Sequence, residues 1–329
     1  MHQTTLGYKN YSHLALNDRI KIEILSKEGY NQSSIAAAIG RSQSTVSREL
    51  KRNQPPKNQV KYNAEQAHNR SSDRKFSAAK KERLKDPLIR EYVYVKIKIG
   101  WSPEQIAGRI PTDHPKLKTN HESIYQYIYK NQRDLIPFLP RRHRIRRKRG
   151  LKNKSRVGKI PDRTPIENRS NIANTRSRIG DLEIDTLGSR KSKQCVQVIV
   201  DRLTRYTHIN LLKDKSANEM MDKAVECLKM LPVDMRKTIT FDNGTENAGH
   251  MRLKTELGIN TYFCNPYHSW EKGTVENTIG LIRRKFPKST NFSTVNNEKL
   301  KELEVQLNNR PRKCLNYMTP IEIMKLCTS

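Results

Sequence analysis

Residues 241–244 (FDNG) and 265–277 (NPYHSWEKGTVEN) decide the fold and the chemistry expected of this chain. A short apolar run over 238–241 predicts a strand, and the Asn-Gly pair after Asp242 predicts a tight turn that exposes its carboxylate. Helical spacing places Glu276 on a helix, and 33 residues separate it from Asp242. Two carboxylates on separate elements, surrounded by lysine and arginine, predict a site that holds a divalent metal against phosphate.

A third carboxylate is available in residues 181–187, where apolar and polar residues alternate and predict another strand. Alternation places Asp181, Glu183 and Asp185 on one face of that strand. Only one of them is needed as a metal ligand, and Asp185 lies nearest the end of the strand.

The predicted metal ligands are therefore Asp185, Asp242 and Glu276. Three hard oxygen ligands suit Mg²⁺ or Mn²⁺, and two such ions can activate the attacking oxygen and stabilise the leaving oxygen in phosphoryl transfer. Nearby cations expected to neutralise phosphate are Lys272, Arg283 and Arg284. The alternative is that these acids are helix caps and surface ion pairs, as any one of them alone would more often be.

The charge of the chain favours nucleic acid as a partner. Its 64 Lys and Arg against 33 Asp and Glu give a formal net charge of +31, which opposes compaction unless a polyanion binds. No apolar run is long enough to span a bilayer, and residues 1–10 lack the apolar core of a signal peptide. The five cysteines include no C-x-x-C pair, so we expect reduced thiols in a cytoplasmic protein. A ribosomal or histone-like binder is the alternative.

Residues 16–53 predict a helix-turn-helix unit. The first helix is expected to bury a face of Leu16, Ile20 and Ile24, and the third to bury Val46 and Leu50. Amide and guanidinium groups can bond base edges, while hydroxyl and ammonium groups meet phosphates. The candidate DNA contacts on the third helix are Gln43, Ser44, Thr45, Ser47, Arg48 and Lys51. The alternative is an ordinary helical bundle with a solvated face.

A second helical unit is predicted after a polar linker over 54–80. Ser102-Pro103 predicts the start of one helix, and Asn120 that of another with a stripe of isoleucine and tyrosine. This stripe is more typical of a core than of a base-stacking platform. The unit resembles a second, looser helix-turn-helix.

A basic linker is predicted over 139–172. Residues 141–149 contain seven Lys or Arg in nine positions, and no acid occurs between Asp134 and Asp162. We expect this run to lie along DNA phosphates, and a nuclear localisation signal is the competing interpretation. The candidate contacts are Arg141, Arg142, Arg144, Arg146 and Arg147.

From residue 180 the pattern predicts an α/β fold with a mixed five-stranded sheet. The strands are expected over 181–187, 195–200, 207–212, 238–241 and 261–263. Helices are predicted between the later strands, then over 276–286, and last near 297–309.

These motifs resemble those of the DDE transposases of bacterial insertion sequences, specifically the IS-thirty family. The matching stretches cover nearly the whole chain: 40–49 (GRSQSTVSRE), 101–106 (WSPEQI), 180–185 (GDLEID), 242–247 (DNGTEN), 266–283, 286–288 (FPK) and 308–312 (NNRPR). The most specific stretch, 266–283, is also similar to the catalytic core of retroviral integrases. Leu182 replaces the usual tryptophan of the family, and Asn247 replaces the usual aromatic residue.

The resemblance implies an RNase H-like catalytic core preceded by all-α helix-turn-helix domains, with Asp185, Asp242 and Glu276 as the triad. It implies binding of terminal inverted repeats, metal-dependent cleavage at the 3′ ends, and joining of the freed hydroxyl to target DNA without a covalent enzyme intermediate. Family members work as dimers or higher assemblies on double-stranded DNA, which places the protein in the bacterial cytoplasm, at the nucleoid. The alternatives are a catalytically silent DNA-binding regulator, such as a domesticated transposase, and a general RNase H-like nuclease or resolvase.

The predicted domains are a helix-turn-helix domain over 1–53, the linker over 54–80, a second helical DNA-binding domain over 81–138, the basic linker over 139–172, the catalytic domain over 173–290 and a C-terminal helical extension over 291–329.

Overall fold

The computed structural model describes residues 12–53, 62–80, 84–140, 160–266 and 268–328. The chain divides into two compact units, residues 1–82 and 83–329. The predicted DNA contacts in the basic linker lie outside the described residues: Arg141, Arg142, Arg144, Arg146 and Arg147. None of the described helices is long and apolar enough to cross a membrane.

The described residues of the first unit form four helices: α1 (Leu16–Lys27), α2 (Gln32–Ala38), α3 (Gln43–Arg52) and α4 (Ala64–Lys80). Gly40 has a φ of +64° in the turn between α2 and α3, a conformation that glycine adopts without strain. Ser42 then begins α3, because its side chain accepts a hydrogen bond from Thr45 N at 3.3 Å. Ile35 and Val46 are buried between the helices. The predicted helix-turn-helix is confirmed.

The predicted inward face of α1 is wrong. Leu16, Ile20 and Ile24 are exposed, whereas Ile22 and Arg19 are buried. A charged side chain can face the interior here because Arg19 Nε donates to Glu49 Oε1 at 2.7 Å. Apolar spacing alone therefore selects the wrong side of the helix.

The predicted linker over 54–80 is wrong for its second half, where α4 packs against the other helices. Ala64 and Ala67 are buried in the core of this unit. Their small side chains suit the close approach of α4 to α1, and Ala64 N donates to Glu23 Oε2 at 2.8 Å. The sequence did not predict α4 because its composition is polar and the face that it buries is a narrow stripe of alanines.

Three helices open the second unit: α5 (Pro87–Lys98), α6 (Pro103–Asp113) and α7 (His121–Asn131). Ser102 and Gln105 form a reciprocal capping box at the start of α6. On α7, Ile124, Tyr127 and Ile128 are buried in the core of these helices. The predicted stripe also includes Tyr125 and Tyr129, which are half-buried and pack against this core, so the stripe belongs to the core.

The five-stranded mixed sheet has the strand order β3-β2-β1-β4-β5. β1 pairs antiparallel with β2, and β2 with β3, whereas β1–β4 and β4–β5 are parallel. This arrangement confirms the predicted RNase H-like fold. The strands are β1 (Asp181–Ser189), β2 (Ser192–Asp201), β3 (Thr207–Leu212), β4 (Thr238–Phe241) and β5 (Asn260–Phe263).

Helices cover both faces of the sheet. Leu182 and Ile199 pack with α9 (Ala217–Lys229) and α10 (Met251–Leu257) on one face. Val198 packs with α11 (Gly273–Lys285) and α12 (Asn297–Asn308) on the other. The acids Asp181, Glu183 and Asp185 alternate with Leu182 and Ile184 along β1, so strand geometry directs them to the α11 side.

Two segments outside the predicted catalytic domain are built into this sheet domain. The predicted basic linker over 139–172 is wrong from residue 160 onward, because Phe263 N donates to Thr164 O at 2.9 Å and His250 Nε2 lies 2.9 Å from Pro161 O. A short helix, α8 (Asn171–Thr175), follows. The predicted helix near 297–309 is α12, and the last helix, α13 (Pro320–Thr328), was not predicted.

α12 lies along the edge strand β3 and replaces a neighbouring strand. Glu304 Oε2 accepts from Ile209 N at 2.7 Å, and Asn308 Oδ1 accepts from Thr207 N at 2.8 Å. These bonds satisfy backbone groups that an edge strand leaves open. α12 is therefore part of the sheet domain instead of an appended extension.

Candidate active site

Asp185 and Asp242 are placed side by side by the parallel pairing of β1 and β4. The register pairs Asp181 with Thr238 and Glu183 with Thr240. The same register, continued by two residues, pairs Asp185 with Asp242. The first aspartate lies within β1 and the second just past the end of β4, as the sequence predicts.

Lys272 joins these two aspartates. Its Nζ lies 3.1 Å from Asp185 Oδ2 and 3.0 Å from Asp242 Oδ2, and its side chain is 4% exposed. It immediately precedes α11, so the start of that helix delivers the ammonium group to the acids. The two carboxylates thus converge on one cation.

Burial and charge set the pKa values of these three groups. Burial raises the pKa of Asp185, and the neighbouring charge of Asp242 adds to this while Lys272 opposes it. Burial would also raise the pKa of Asp242, but the Lys272 charge and hydrogen bonds outweigh it, so this pKa is lowered. Burial would lower the pKa of Lys272, but the two aspartates outweigh it and raise that pKa. The site therefore favours a cation between two carboxylates.

Glu183 fixes the start of α11 against β1. Its Oε2 accepts a hydrogen bond from Val275 N at 2.9 Å, and its Oε1 accepts one from Arg202 Nη1 at 2.6 Å. Asp181 is also occupied, because Arg178 Nε and Thr238 Oγ1 donate to it at 2.9 and 2.7 Å. Asp181 and Glu183 are therefore buried acids with structural hydrogen bonds. Asp185 is the remaining acid on this face of β1, and it faces the site.

Asn247 is a site residue that the sequence did not predict as one. It is buried, and its Nδ2 donates to Asp242 Oδ1 at 2.9 Å. Gly244 N donates to the same oxygen at 3.2 Å. Asn243 in turn ties the turn to the next loop, because its Nδ2 donates to Cys264 O at 2.7 Å. The sequence signal for this hydrogen bond is the polar residue Asn247 at five positions after the candidate ligand Asp242.

Glu276 does not join the two aspartates in this structure. It is exposed in the first turn of α11, one helical turn after Lys272 and so on the same side of the helix. In the described part of the chain, no three His, Cys, Asp or Glu side chains come together as a metal-binding group.

Three more predicted or exposed side chains lie along this segment: Arg283, Arg284 and Trp270. Arg283 Nη2 donates to Gly188 O at 2.7 Å, so this guanidinium ties α11 to the end of β1. Arg284, by contrast, is exposed. Trp270 is 68% exposed and stacks on His268, with ring centroids 4.2 Å apart.

In the first unit, α3 presents the predicted DNA contacts on its outer side. Val46 and Glu49 of that helix face inward. The exposed residues are Gln43, Ser44, Arg48 and Lys51, and the half-buried ones are Thr45 and Ser47. The helix thus carries amide, hydroxyl and cationic groups on one accessible face, as base and phosphate contacts require.

Comparison with known proteins relates both parts of the chain to DNA-acting proteins. A protein-family model described as a helix-turn-helix domain matches residues 10–53. The chain is 40% identical over 316 residues to the transposase for insertion sequence element IS4351 of Bacteroides fragilis, covering 95% of each protein. It is 35% identical over 326 residues to the transposase InsI for IS30A of Escherichia coli K12, covering 95% of this chain and 84% of that protein.

Among solved structures, the catalytic core domain of HTLV-2 integrase in complex with magnesium matches with a TM-score of 0.33 and 17% identity, over 44% of this chain and 96% of that one. The catalytic core domain of BIV integrase matches with a TM-score of 0.35 and 18% identity, over 45% and 95%.

Proposed function

We propose a catalytic role for three residues from the following premise: the chain belongs to the IS-thirty family of insertion-sequence transposases. Asp185, Asp242 and Glu276 catalyse metal-dependent cleavage and strand transfer at the ends of its element. The observation that carries this proposal is the convergence of Asp185 and Asp242 on one cation, at 3.1 and 3.0 Å from Lys272 Nζ. Glu276 lies one turn further along α11 and completes the set when its side chain swings toward them.

The residues present fit Mg²⁺ or Mn²⁺. Asp185 and Asp242 supply hard carboxylate oxygens that already gather around a positive charge, and Glu276 is an exposed third donor. Metal bound there would supply Lewis-acid stabilisation of the charge that develops on phosphate oxygens. We propose two ions, in keeping with the predicted in-line transfer.

The protein's own residues position this site. Gly244 and Asn247 hold Asp242 through hydrogen bonds to Oδ1, and Glu183 fixes the helix that follows Lys272 and carries Glu276. Lys272 supplies a buried positive charge beside the scissile phosphate. In the first reaction water attacks phosphorus and the 3′ oxygen leaves. In the second, the freed 3′ hydroxyl attacks a target phosphodiester and displaces its 3′ oxygen.

We propose that α3 of the first unit recognises the terminal inverted repeats. The family relationship and the accessible face around Arg48 support this role. We further propose that the protein acts on double-stranded DNA as a dimer or higher assembly, at the nucleoid in the bacterial cytoplasm. The insertion-sequence transposases to which it is similar come from bacteria.

Strand transfer in Mg²⁺ tests this proposal, with DNA that carries the terminal repeats of the flanking element. Wild type should give joined product, whereas Asp242→Asn and Glu276→Gln should bind the ends and give none. Asp222→Asn removes a carboxylate from an exposed ion pair on α9 and serves as the matched control that stays active. Full activity of either triad variant would show that the assigned residues are wrong.

One observation favours a second candidate, a regulator that binds DNA without cutting it. In the described residues Lys272 occupies the space between the two aspartates, and no three-carboxylate group is assembled. This candidate predicts tight end binding with no nicked or joined product in Mg²⁺ or Mn²⁺. Joined product from wild type excludes it.

A further inference from the structure

Five arginines without carboxylate partners lie near one another in the second unit, close enough for their charges to affect one another's pKa values. Two belong to the NNRPR motif and are buried, since Arg310 and Arg312 are each 8% exposed. Arg205 is half-buried in the turn between β2 and β3, and Arg176 and Arg284 are exposed. Within residues 84–140, 160–266 and 268–328, none of the five forms an ion pair with Asp or Glu. We refer to them as the arginine cluster.

The hydrogen bonds of the arginine cluster go to neutral acceptors. Arg310 Nε donates to Gln105 Oε1 at 3.0 Å, and Arg312 Nη2 donates to Leu307 O at 3.3 Å. Arg205 Nη1 donates to Thr274 Oγ1 at 2.8 Å. The Nε atoms of Arg205 and Arg312 are buried and have no hydrogen-bond acceptor. The protein therefore leaves guanidinium donors of this cluster unused.

These positive charges oppose one another. Burial, then the charges of Arg284 and Arg312, lower the pKa of Arg310 to about 9. Burial, together with the charges of Arg205 and Arg284, lowers the pKa of Arg312 to about 10. Buried charge without a counterion is costly, and a bound oxyanion removes both the repulsion and the unused donors.

A cavity of about 440 Å³ opens next to Arg310 and Arg284. Lys98 and Lys285 also line it, together with apolar side chains that include Phe138 and Leu281. Among the described residues, four cations and no acidic residue thus line this cavity. This lining selects an anion.

The arginine cluster is not part of the acidic site. Thr274, which contacts Arg205, and Leu281, which lines the cavity, lie on one side of α11. Glu276 is about 200° and 140° around the helix from them, at 3.6 residues per turn. The two charged regions therefore flank α11 from different sides.

We propose that Arg205, Arg310 and Arg312, with Arg176 and Arg284 at the exposed edge, bind phosphodiester groups of a DNA strand. A DNA strand fits better than a single small anion because the cluster extends over several side chains, from the buried Arg310 and Arg312 to the exposed Arg176 and Arg284. The net charge of +31 also makes a polyanion the matching partner. The proposal rests on the proposed function, since the strand is the DNA on which the enzyme acts.

The test is the salt dependence of affinity for a duplex carrying the terminal repeats. Arg176→Gln/Arg284→Gln changes only exposed side chains, so it should fold and bind about tenfold more weakly. Its slope of log K against log salt should be shallower by about 0.9 for each lost phosphate contact. Arg312→Gln should act in the same direction. Lys229→Gln/Lys254→Gln, which removes two exposed lysines on α9 and α10, is the matched control and should keep the wild-type slope.

Duplexes with one neutral methylphosphonate at each backbone position locate the contact. At one or two positions this change should weaken binding of wild type but not of Arg176→Gln/Arg284→Gln. Equal affinity and slope for the double variant and the control would overturn the proposal while leaving the proposed function intact. If wild type binds no duplex, both fail. If inorganic phosphate raises the melting temperature of wild type but not of Arg312→Gln while duplex binding is unchanged, the site takes a small anion and the DNA assignment is wrong.

Discussion

Glu183 and Arg202 form a buried ion pair beneath the acidic site, with Oε1 and Nη1 2.6 Å apart. The other oxygen of Glu183 accepts from Val275 N, so the same carboxylate also holds the first turn of α11. Arg202 Nε donates further to Ala173 O at 3.1 Å. The pair thus connects α8, β1 and the helix α11 that follows Lys272.

Glu183→Ala should destabilise the second unit by about 3–5 kcal/mol, because it leaves a buried arginine without its counterion. Asp185→Ala, two residues along the same face, should cost far less, since its carboxylate is partly exposed and its buried partner Lys272 keeps Asp242 as a counterion. Urea unfolding measures both through tryptophan fluorescence, because Trp101 is buried in this unit. Equal losses for the two variants would contradict the structural role of Glu183.

The sequence predicts that Asp181, Glu183 and Asp185 share one face of β1, but it does not predict their different roles. Alternation alone gives Asp181, Glu183 and Asp185 equal standing, and nearness to the strand end selects Asp185. The roles of the other two depend on Arg178 and Arg202, and those contacts come from tertiary packing. The same limit explains the error on α1, where the long-range partner of Arg19 decides which side is buried.

Asn247 should affect catalysis more than binding. Asn247→Ala removes the hydrogen bond to Asp242 Oδ1, so the carboxylate loses one of the groups that orient it. We expect strand transfer to fall about tenfold, or about 1.4 kcal/mol, with end binding unchanged. Asn260→Ala, at an exposed asparagine on β5, is the control. Unchanged strand transfer in Asn247→Ala would mean that Asp242 is oriented without Asn247.

This role also explains one of the two departures from the family pattern. Asn247 replaces the usual aromatic residue, and its amide donates a hydrogen bond to Asp242. Leu182 replaces the usual tryptophan and is buried in the core between the sheet and helices α9 and α10. Comparison with the family motifs identifies positions 182 and 247 as departures, but the motifs do not predict what the side chains at these positions contact. The position of Asp242 could be predicted because the end of β4 fixes it locally, whereas Asp185 lies in the middle of β1 and meets Lys272 only through tertiary packing.

Arg48 should contribute to sequence recognition. It is exposed on the outer side of α3, where a guanidinium can bond a guanine edge in the major groove. Arg48→Ala should cost about 1–3 kcal/mol on the terminal repeats and less on unrelated DNA. Lys21→Ala removes an exposed charge from α1 of the same unit as a control. Equal weakening on all sequences would make Arg48 a phosphate contact.

The basic run over 141–149 should make binding steeply salt-dependent. A protein that makes about 6–10 phosphate contacts loses roughly 10³–10⁵ in affinity between about 50 and 200 mM salt. Replacing the seven Lys and Arg of this run by Gln should flatten the dependence, as fluorescence anisotropy would measure. A nearly flat response in wild type would contradict the phosphate-binding role of this run.

Glu322 on α13 pairs with Arg109 on α6 through two parallel hydrogen bonds, at 2.7 and 2.6 Å. These bonds lower the pKa of Glu322 from 4.5 to about 2. A lowered folded-state pKa stabilises the fold above the unfolded value, and this contribution is lost as pH falls from about 4.5 toward 2. The pair links the helical domain of the second unit to the end of the chain.

Glu322→Gln should therefore lower the stability of the second unit at pH 7. Solvent screens the pair because the Glu322 side chain is 35% exposed, so we expect a loss of about 1 kcal/mol. The difference from wild type should shrink as pH falls from about 4.5 toward 2, because the wild-type carboxylate then loses its charge too. Glu302→Gln, on the exposed side of α12, should differ little from wild type throughout. Urea unfolding followed by tryptophan fluorescence gives these values, and a difference that stays constant down to pH 2 would mean that the stabilisation by Glu322 does not depend on its charge.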